Sequence, residues 1–168
     1  MRLLKTTTCL MLLLLCVDSH AGAISIEELS WLQKQQLQNQ VEQIDQLARL
    51  NLGQPVRGNP DDLELLQRII YKGLIKPDDH MTLQALGAVL GNVMVSDLGL
   101  EWKSYRDELG KSRAACIPKS TQCLFPITML SRRMEVGLLP DVKQIYAETR
   151  DMVETYRKKM EYLPKDSR

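Results

Sequence analysis

The chain has 168 residues and a formal net charge of +1, and 44% of its residues are hydrophobic. Its size suits one globular domain with its own core. A near-neutral chain without a basic stripe argues against nucleic acid as a partner, and it has no basic amphipathic helix to hold a membrane surface.

Residues 1–23 have the pattern of a cleavable secretory signal. Arg2 and Lys5 precede a short apolar stretch at residues 6–17, and an Ala-Gly-Ala sequence ends at Ala23. About 12 apolar residues are too few to cross a ~30 Å hydrocarbon core, which needs about 20. No later segment has such a run. We therefore expect cleavage near Ala23 and a periplasmic or secreted protein without a transmembrane segment in its mature form.

Three helices are predicted after the signal. The first is glutamine-rich and spans residues 25–51, with apolar residues on one half of the helical wheel and most glutamines on the other. A loop rich in glycine and proline follows at residues 53–60, and a second helix carries apolar residues at helical spacing. The third helix spans residues 79–98.

Two glycines stand four residues apart on one face of the third helix, at Gly87 and Gly91. Each costs about 1 kcal/mol of helix propensity relative to alanine. We infer that another backbone approaches this face closely.

The pattern changes to short strands after Gly99. Strands are predicted at residues 101–106, 114–117 and 122–125, and residues 118–121 form the tip between the last two. A short helix at residues 127–135 and a long helix from Asp141 complete the chain.

These elements give an α+β fold: N-terminal helices, a small three-stranded antiparallel sheet, then one short and one long C-terminal helix. We expect a single domain at residues 24–168, with the glutamine-rich helix and loop at 24–58. The charged end at residues 165–168 is predicted to fray.

The cysteines support export. Cys9 and Cys16 lie in the signal, and Leu15 occupies the place where a lipoprotein cysteine is preceded by a small residue. Cys116 and Cys123 remain, and in an oxidising compartment they are expected to form a structural disulfide. Redox chemistry is the alternative, but the Cys-x-x-Cys spacing is absent.

Catalytic motifs are sparse. His80 is the single histidine after the signal, and no Gly-x-Ser-x-Gly elbow or phosphate-binding glycine loop is present. Asp78, Asp79 and His80 form a possible cation cluster, but acids at a helix start cap free N–H groups. The expectation is therefore no catalytic set, no metal and no cofactor, which favours a protein other than an enzyme.

One polar group around the predicted sheet is a candidate binding surface. The alternative interpretation is that these residues form an internal arginine–carboxylate pair which orients the last helices on the sheet, and the sequence leaves both interpretations open. The surface consists of Trp102, Tyr105, Arg106, Asp107, Arg132 and Arg133.

Scattered residues of this region resemble a family of bacterial domains of unknown function, number 3806, over about residues 79–152. The resemblance implies a small domain without an established activity; the cysteine pair is an addition to the family pattern. The resemblance rests on Leu86-Gly87, Gly91-Asn92, Leu98-Gly99, Trp102, Asp107-Glu108, Gly110, Phe125-Pro126 and Arg132-Arg133.

Three functional hypotheses follow. The first is a non-catalytic binding or accessory protein, of inhibitor or immunity type, that contacts another envelope protein. The second is a hydrolase of envelope polymers that uses Asp107 or Glu108 with Arg132 or Arg133. The third is a structural subunit of an envelope assembly that acts through the glutamine-rich first helix.

Overall fold

A computed structural model describes residues 24–162 and gives five α-helices and a four-stranded antiparallel sheet in that part of the chain. The predicted signal, with Cys9 and Cys16, and the charged end at 165–168 lie outside the described residues. In chain order the elements are β1 (Ser25–Glu28), α1 (Trp31–Leu52), α2 (Asp61–Tyr71), α3 (His80–Leu98), β2 (Glu101–Asp107), β3 (Gly110–Cys116), β4 (Cys123–Leu124), α4 (Pro126–Glu135) and α5 (Val142–Glu161).

The α+β class is confirmed, but the three-stranded sheet and the helix start at residue 25 were wrong. β1 forms a fourth strand that pairs with β2 in antiparallel register, with Ile26 opposite Tyr105. Ser30 then caps α1: its hydroxyl accepts a bond from the Gln33 backbone N–H, and the Gln33 side chain accepts one from the Ser30 N–H. This capping box fixes the helix start after Ser30, so the preceding residues are left to the sheet.

α3 is the central helix of the fold. It contacts α1, α2, α4 and α5, and its fully buried side chains include Leu86, Leu90 and Met94. Of the described helices, α3 alone is long and apolar enough to cross a membrane, and about two thirds of it is buried inside the fold, as in a core helix. Asp79 caps its N-terminus by accepting a bond from the Thr82 N–H at 3.1 Å, which confirms the capping interpretation.

The close approach of another backbone, which was predicted at the two α3 glycines, is confirmed at Gly87 and was wrong at Gly91. A Cβ at Gly87 would lie 2.5 Å from the Cα of Ile127 and 2.6 Å from its carbonyl oxygen, so the α4 backbone lies directly against α3. At Gly91 the neighbour is a side chain, the indole ring of Trp102. The two missing side chains therefore let α3 receive α4 and the sheet at contact distance.

The sheet has the order β1-β2-β3-β4, and its last pair carries the predicted disulfide. Cys116 and Cys123 face each other in the β3–β4 register and are joined through their sulfur atoms. Within the loop that they close, the Ile117 N–H donates to the Gln122 carbonyl at 2.9 Å. The disulfide thus stabilises a two-residue strand that has few ladder hydrogen bonds of its own.

α5 is attached to the helices by buried polar contacts. The side-chain carbonyl of Gln67 accepts a bond from the Val142 N–H at 2.7 Å, and its amide donates to the Pro140 carbonyl at 3.2 Å. At the other end, Arg157 donates to the Leu98 carbonyl at 2.6 Å, where α3 ends. These bonds hold α5 against α2 and against the C-terminal end of α3.

Candidate binding cleft

A cleft of about 660 Å³ lies between α1, the tip of the β2–β3 hairpin and α4. Nine of its twelve lining residues are polar or charged, and its cations come from β3 and α4. Its lining residues are Gln33, Gln36, Gln84, Asp107, Leu109, Lys111, Ser112, Arg113, Phe125, Ile127, Thr128 and Arg132.

β3 supplies two of the cations. Successive side chains of a strand point to opposite faces, so Lys111 and Arg113 share a face of the sheet. Arg113 lies opposite the buried Ser104 in the β2–β3 register. Its partly buried guanidinium donates from Nη1 to Oε1 of Gln40 on α1 at 2.8 Å. Burial lowers the pKa of the Arg113 guanidinium because the charge is withdrawn from water.

α1 and α3 supply neutral amides. The amide nitrogen of Gln33 donates to Oγ of Ser104 at 3.3 Å, so this side chain is held between the capping box and the sheet. Gln36 lies about one turn further along α1, and Gln84 projects from α3. Each amide offers both a donor and an acceptor.

α4 forms the third wall, with Phe125 and Thr128 at its start and Arg132 one turn later. The ring of Tyr105 meets Phe125 edge to face, with the centroids 5.1 Å apart. Because Gly87 brings the α4 backbone against α3, the position of this wall is fixed by the core. Arg132 itself is exposed to solvent.

The charges of the cleft do not balance. Its lining has three cations, Lys111, Arg113 and Arg132, and one carboxylate, Asp107. Oδ1 of Asp107 accepts a bond from the Leu109 N–H at 2.9 Å and so stabilises the hairpin turn. None of the ion pairs formed among residues 24–162 includes any of the three cations. The cleft therefore has excess positive charge.

A second groove, of about 670 Å³, lies beside the disulfide loop and is more open. Its lining has two cations: Lys119 lies in the disulfide loop, and Lys103 on β2 is paired with Glu28 and, at 2.9 Å, with Glu101. These bonds raise the pKa of Lys103 above its ordinary value. Since the Lys103 charge is already neutralised within the fold and the groove is more open, this groove is the weaker candidate for a ligand.

The structure brings part of the predicted surface into the cleft. Asp107 and Arg132 line it, and Tyr105 supports the lining ring of Phe125. Trp102 lies elsewhere: its ring packs on Gly91 of α3, and its Nε1 donates to Oδ1 of Asn92 at 2.9 Å. Trp102 is thus a packing residue between the sheet and α3.

The remaining two arginines of that prediction are exposed and do not line the cleft. Arg106 lies opposite Lys111 in the β2–β3 register, and Arg133 donates to the carbonyl of Met129. No ion pair within residues 24–162 joins Asp107 to Arg106, Arg132 or Arg133. The internal arginine–carboxylate pair considered from the sequence is therefore not formed.

Sequence reasoning missed Arg113 and Lys111, as well as the three lining glutamines. Arg113 lies two residues before Ala115, and side chains two residues apart in a strand point to the same face. This spacing was the available signal that Arg113 faces the helices. No local signal marks Gln33 and Gln36 among the many glutamines of α1.

The arrangement defines an α+β domain with a polar, positively charged cleft. The chain belongs to the family described as domain of unknown function (DUF3806), whose model matches residues 62–146. The resemblance inferred from sequence is therefore confirmed, and the match begins earlier than expected, within α2.

One solved structure shares this fold. It is a protein from Bacteroides thetaiotaomicron VPI-5482, with a TM-score of 0.71 and 17% sequence identity; the alignment covers 80% of this chain. The chain spans about half of the length of that protein. No curated protein matches the chain at a significant level. At this identity the likeness extends to the fold and carries no functional information.

Proposed function

We propose that this protein is an exported, non-catalytic binding or accessory protein, of inhibitor or immunity type, which holds a partner protein of the envelope in the cleft. The observation that carries the proposal is the partly buried Arg113, which lines the cleft and forms no ion pair within residues 24–162. A cation that is desolvated without a counter-ion costs free energy, and a ligand that supplies the missing charge recovers it.

A protein partner is favoured by the apolar side chains beside the polar walls. Leu109 lies at the tip of the β2–β3 hairpin and is 97% exposed. On α1, Leu32 lies one turn before Gln36 and is also largely exposed. A rim of exposed leucine around charged and amide groups combines the contact types found in protein–protein interfaces.

Export is supported by the pattern of residues 1–23 and by the Cys116–Cys123 disulfide. Disulfides persist mainly in oxidising compartments. We propose that this compartment is the periplasm or the exterior of a bacterial cell.

A hydrolase is the second candidate, because Asp107 and Arg132 line the same cleft. Glycoside hydrolysis needs two carboxyl groups on either side of the scissile bond. Among the described lining residues Asp107 is the one carboxylate, and its oxygen is engaged by the Leu109 N–H. Turnover of peptidoglycan fragments that disappears in Asp107→Asn would establish this candidate, and an inactive wild-type protein would retire it.

Site-specific photo-crosslinking in the producing cell tests the binding proposal. A photoreactive amino acid replaces Leu109 at the cleft, or Met152 on α5 as a matched control; both side chains are exposed, and Met152 is 60% exposed. We expect a discrete crosslinked protein from position 109 and none from position 152. The same species from both positions, or no species from position 109, contradicts the proposal.

A further inference from the structure

We propose that the partner is recognised through a carboxylate: an acidic peptide segment enters the cleft and pairs an Asp or Glu side chain, or a chain-terminal carboxylate, with Arg113 and Arg132. This inference rests on the proposed binding function and specifies its chemistry.

Arg113 is the primary receptor group. Its guanidinium donates to a neutral amide oxygen of Gln40 at 2.8 Å, which orients the planar group without neutralising its charge. A guanidinium has five N–H donors, so further donors remain for a ligand in the cleft. Arginine binds carboxylates with two parallel hydrogen bonds, and such bonds strengthen where water is partly excluded.

Neighbouring charges increase the attraction. Lys111 and Arg132 line the same cleft, and Arg106 lies opposite Lys111 across the ladder. Like charges directly opposite each other on a sheet destabilise it. A carboxylate bound beside Lys111 would screen this repulsion, which adds to the attraction of the cleft for an anion.

The neutral groups favour a peptide over other anions. Gln36, Gln84 and Thr128 offer donors and acceptors that suit the amides of a peptide backbone, and Leu109 offers an apolar contact. A nucleic acid would require a longer basic track for successive phosphates, whereas the whole chain has a net charge of only +1. We therefore assign the cleft to an acidic peptide.

Selection from a random peptide library displayed on phage tests this assignment with the full, oxidised protein. We expect the selected peptides to be enriched in Asp and Glu relative to the starting library. A synthetic copy of the best peptide should lose about tenfold or more in affinity when its acidic residue is replaced by the matching amide. Its affinity should also fall as salt is raised.

Two adjacent arginines of α4 provide a matched pair of variants. Both are exposed, but Arg132 lines the cleft and Arg133 does not. Arg132→Gln should weaken the peptide, and Arg133→Gln should leave its affinity unchanged. Arg113→Gln should abolish the acidic enrichment of the selected peptides. Because Arg113 is partly buried, Arg113→Lys serves as a milder variant. Lysine keeps the positive charge but lacks the two parallel N–H donors of the guanidinium, so we expect a partial loss of peptide affinity.

The assignment is overturned by selected peptides without acidic enrichment, by a library that yields no peptide, or by equal effects of the Arg132 and Arg133 variants. Stronger displacement of the peptide by a single-stranded oligonucleotide or inorganic phosphate than by a second acidic peptide also overturns it. A crosslink at position 109 without acidic selection would remove this inference and leave the binding function in place. Failure of both experiments would remove the binding function itself.

Discussion

Replacing Gly87 with alanine should destabilise the protein by moving α4 away from α3. The new Cβ would lie 2.5 Å from the Cα of Ile127, whereas ordinary contacts begin at 3.4 Å. The α4 backbone must therefore move by about 0.9 Å, the difference between these two distances. The overlap is with backbone atoms, which have no side-chain rotation with which to relieve it.

The expected size of the effect follows from two opposing terms. Alanine gains about 1 kcal/mol of helix propensity over glycine, and overpacking of a core costs about 1–3 kcal/mol. Because the overlap at Gly87 is with backbone, we use the upper value, which leaves a net loss of about 2 kcal/mol. For a domain of this size that corresponds to a fall in Tm of roughly 6 °C.

Urea and thermal unfolding of the oxidised protein, followed by circular dichroism, measure this loss. Gly91→Ala is the matched comparison, because its new Cβ meets a side chain, the ring of Trp102, and no backbone atom among its nearest neighbours. We expect a smaller loss at Gly91, and the double variant Gly91→Ala, Trp102→Leu should recover part of it. Peptide binding should weaken in Gly87→Ala, since α4 carries Arg132 of the cleft.

A Gly87→Ala protein that is more stable than the wild type by about 1 kcal/mol would refute the reasoning. Such a gain would mean that helix propensity acts alone and that α4 does not lie against α3 at this position. Equal losses of unfolding free energy at Gly87 and Gly91 would show that the fold accommodates the backbone overlap and the side-chain overlap at the same cost.

Two further predictions concern stability. Serine in place of both Cys116 and Cys123 should lower the free energy of unfolding by about 2.5 kcal/mol in the chain-entropy model, and a denaturation curve unchanged by reduction would contradict it. The hydrogen bond from Arg49 holds the pKa of Asp45 below its ordinary value of 3.8, and the Val56 N–H adds to this at 2.7 Å. A lowered native pKa means stabilisation that is complete above the ordinary value and is lost as the pH falls through the native one. Asp45→Asn should therefore reduce the acid-dependent part of the unfolding free energy, and an unchanged pH dependence would contradict this.

The helical part of the fold could be predicted because its signals are local. The apolar spacing of α3 and α5 and the pair Gly87 and Gly91 are visible within a single turn or two of sequence. The disulfide followed from composition, because two cysteines lie outside the predicted signal. These features depend on neighbours in the sequence or on simple counting.

β1 could not be read in the same way. Its four residues gain their structure by pairing with β2, which lies far along the chain, and Ile26 alone carries no strand pattern. Because the following residues are rich in glutamine and have helical spacing, the predicted helix was extended back to residue 25. Ser30 and Gln33 were the available local signal for the true helix start, since their spacing is that of a capping box.

The site was predicted in part for a similar reason. Asp107 and Arg132 were selected because charged residues flank a predicted hairpin and helix. Arg113 was missed because β3 was expected to begin at Ala114, and its importance comes from a bond to Gln40, 73 positions away. Contacts of that range depend on the packing of α1 against the sheet, which the sequence pattern of either element does not contain.

Hydrogen–deuterium exchange of the full protein, alone and with the partner captured through position 109, tests the central claim most directly. We predict added protection in residues 107–113 and 125–132, which form the hairpin and α4 walls of the cleft. Protection confined to β1 or to the disulfide loop, with the cleft segments unchanged, would contradict the assignment of the cleft as the binding site.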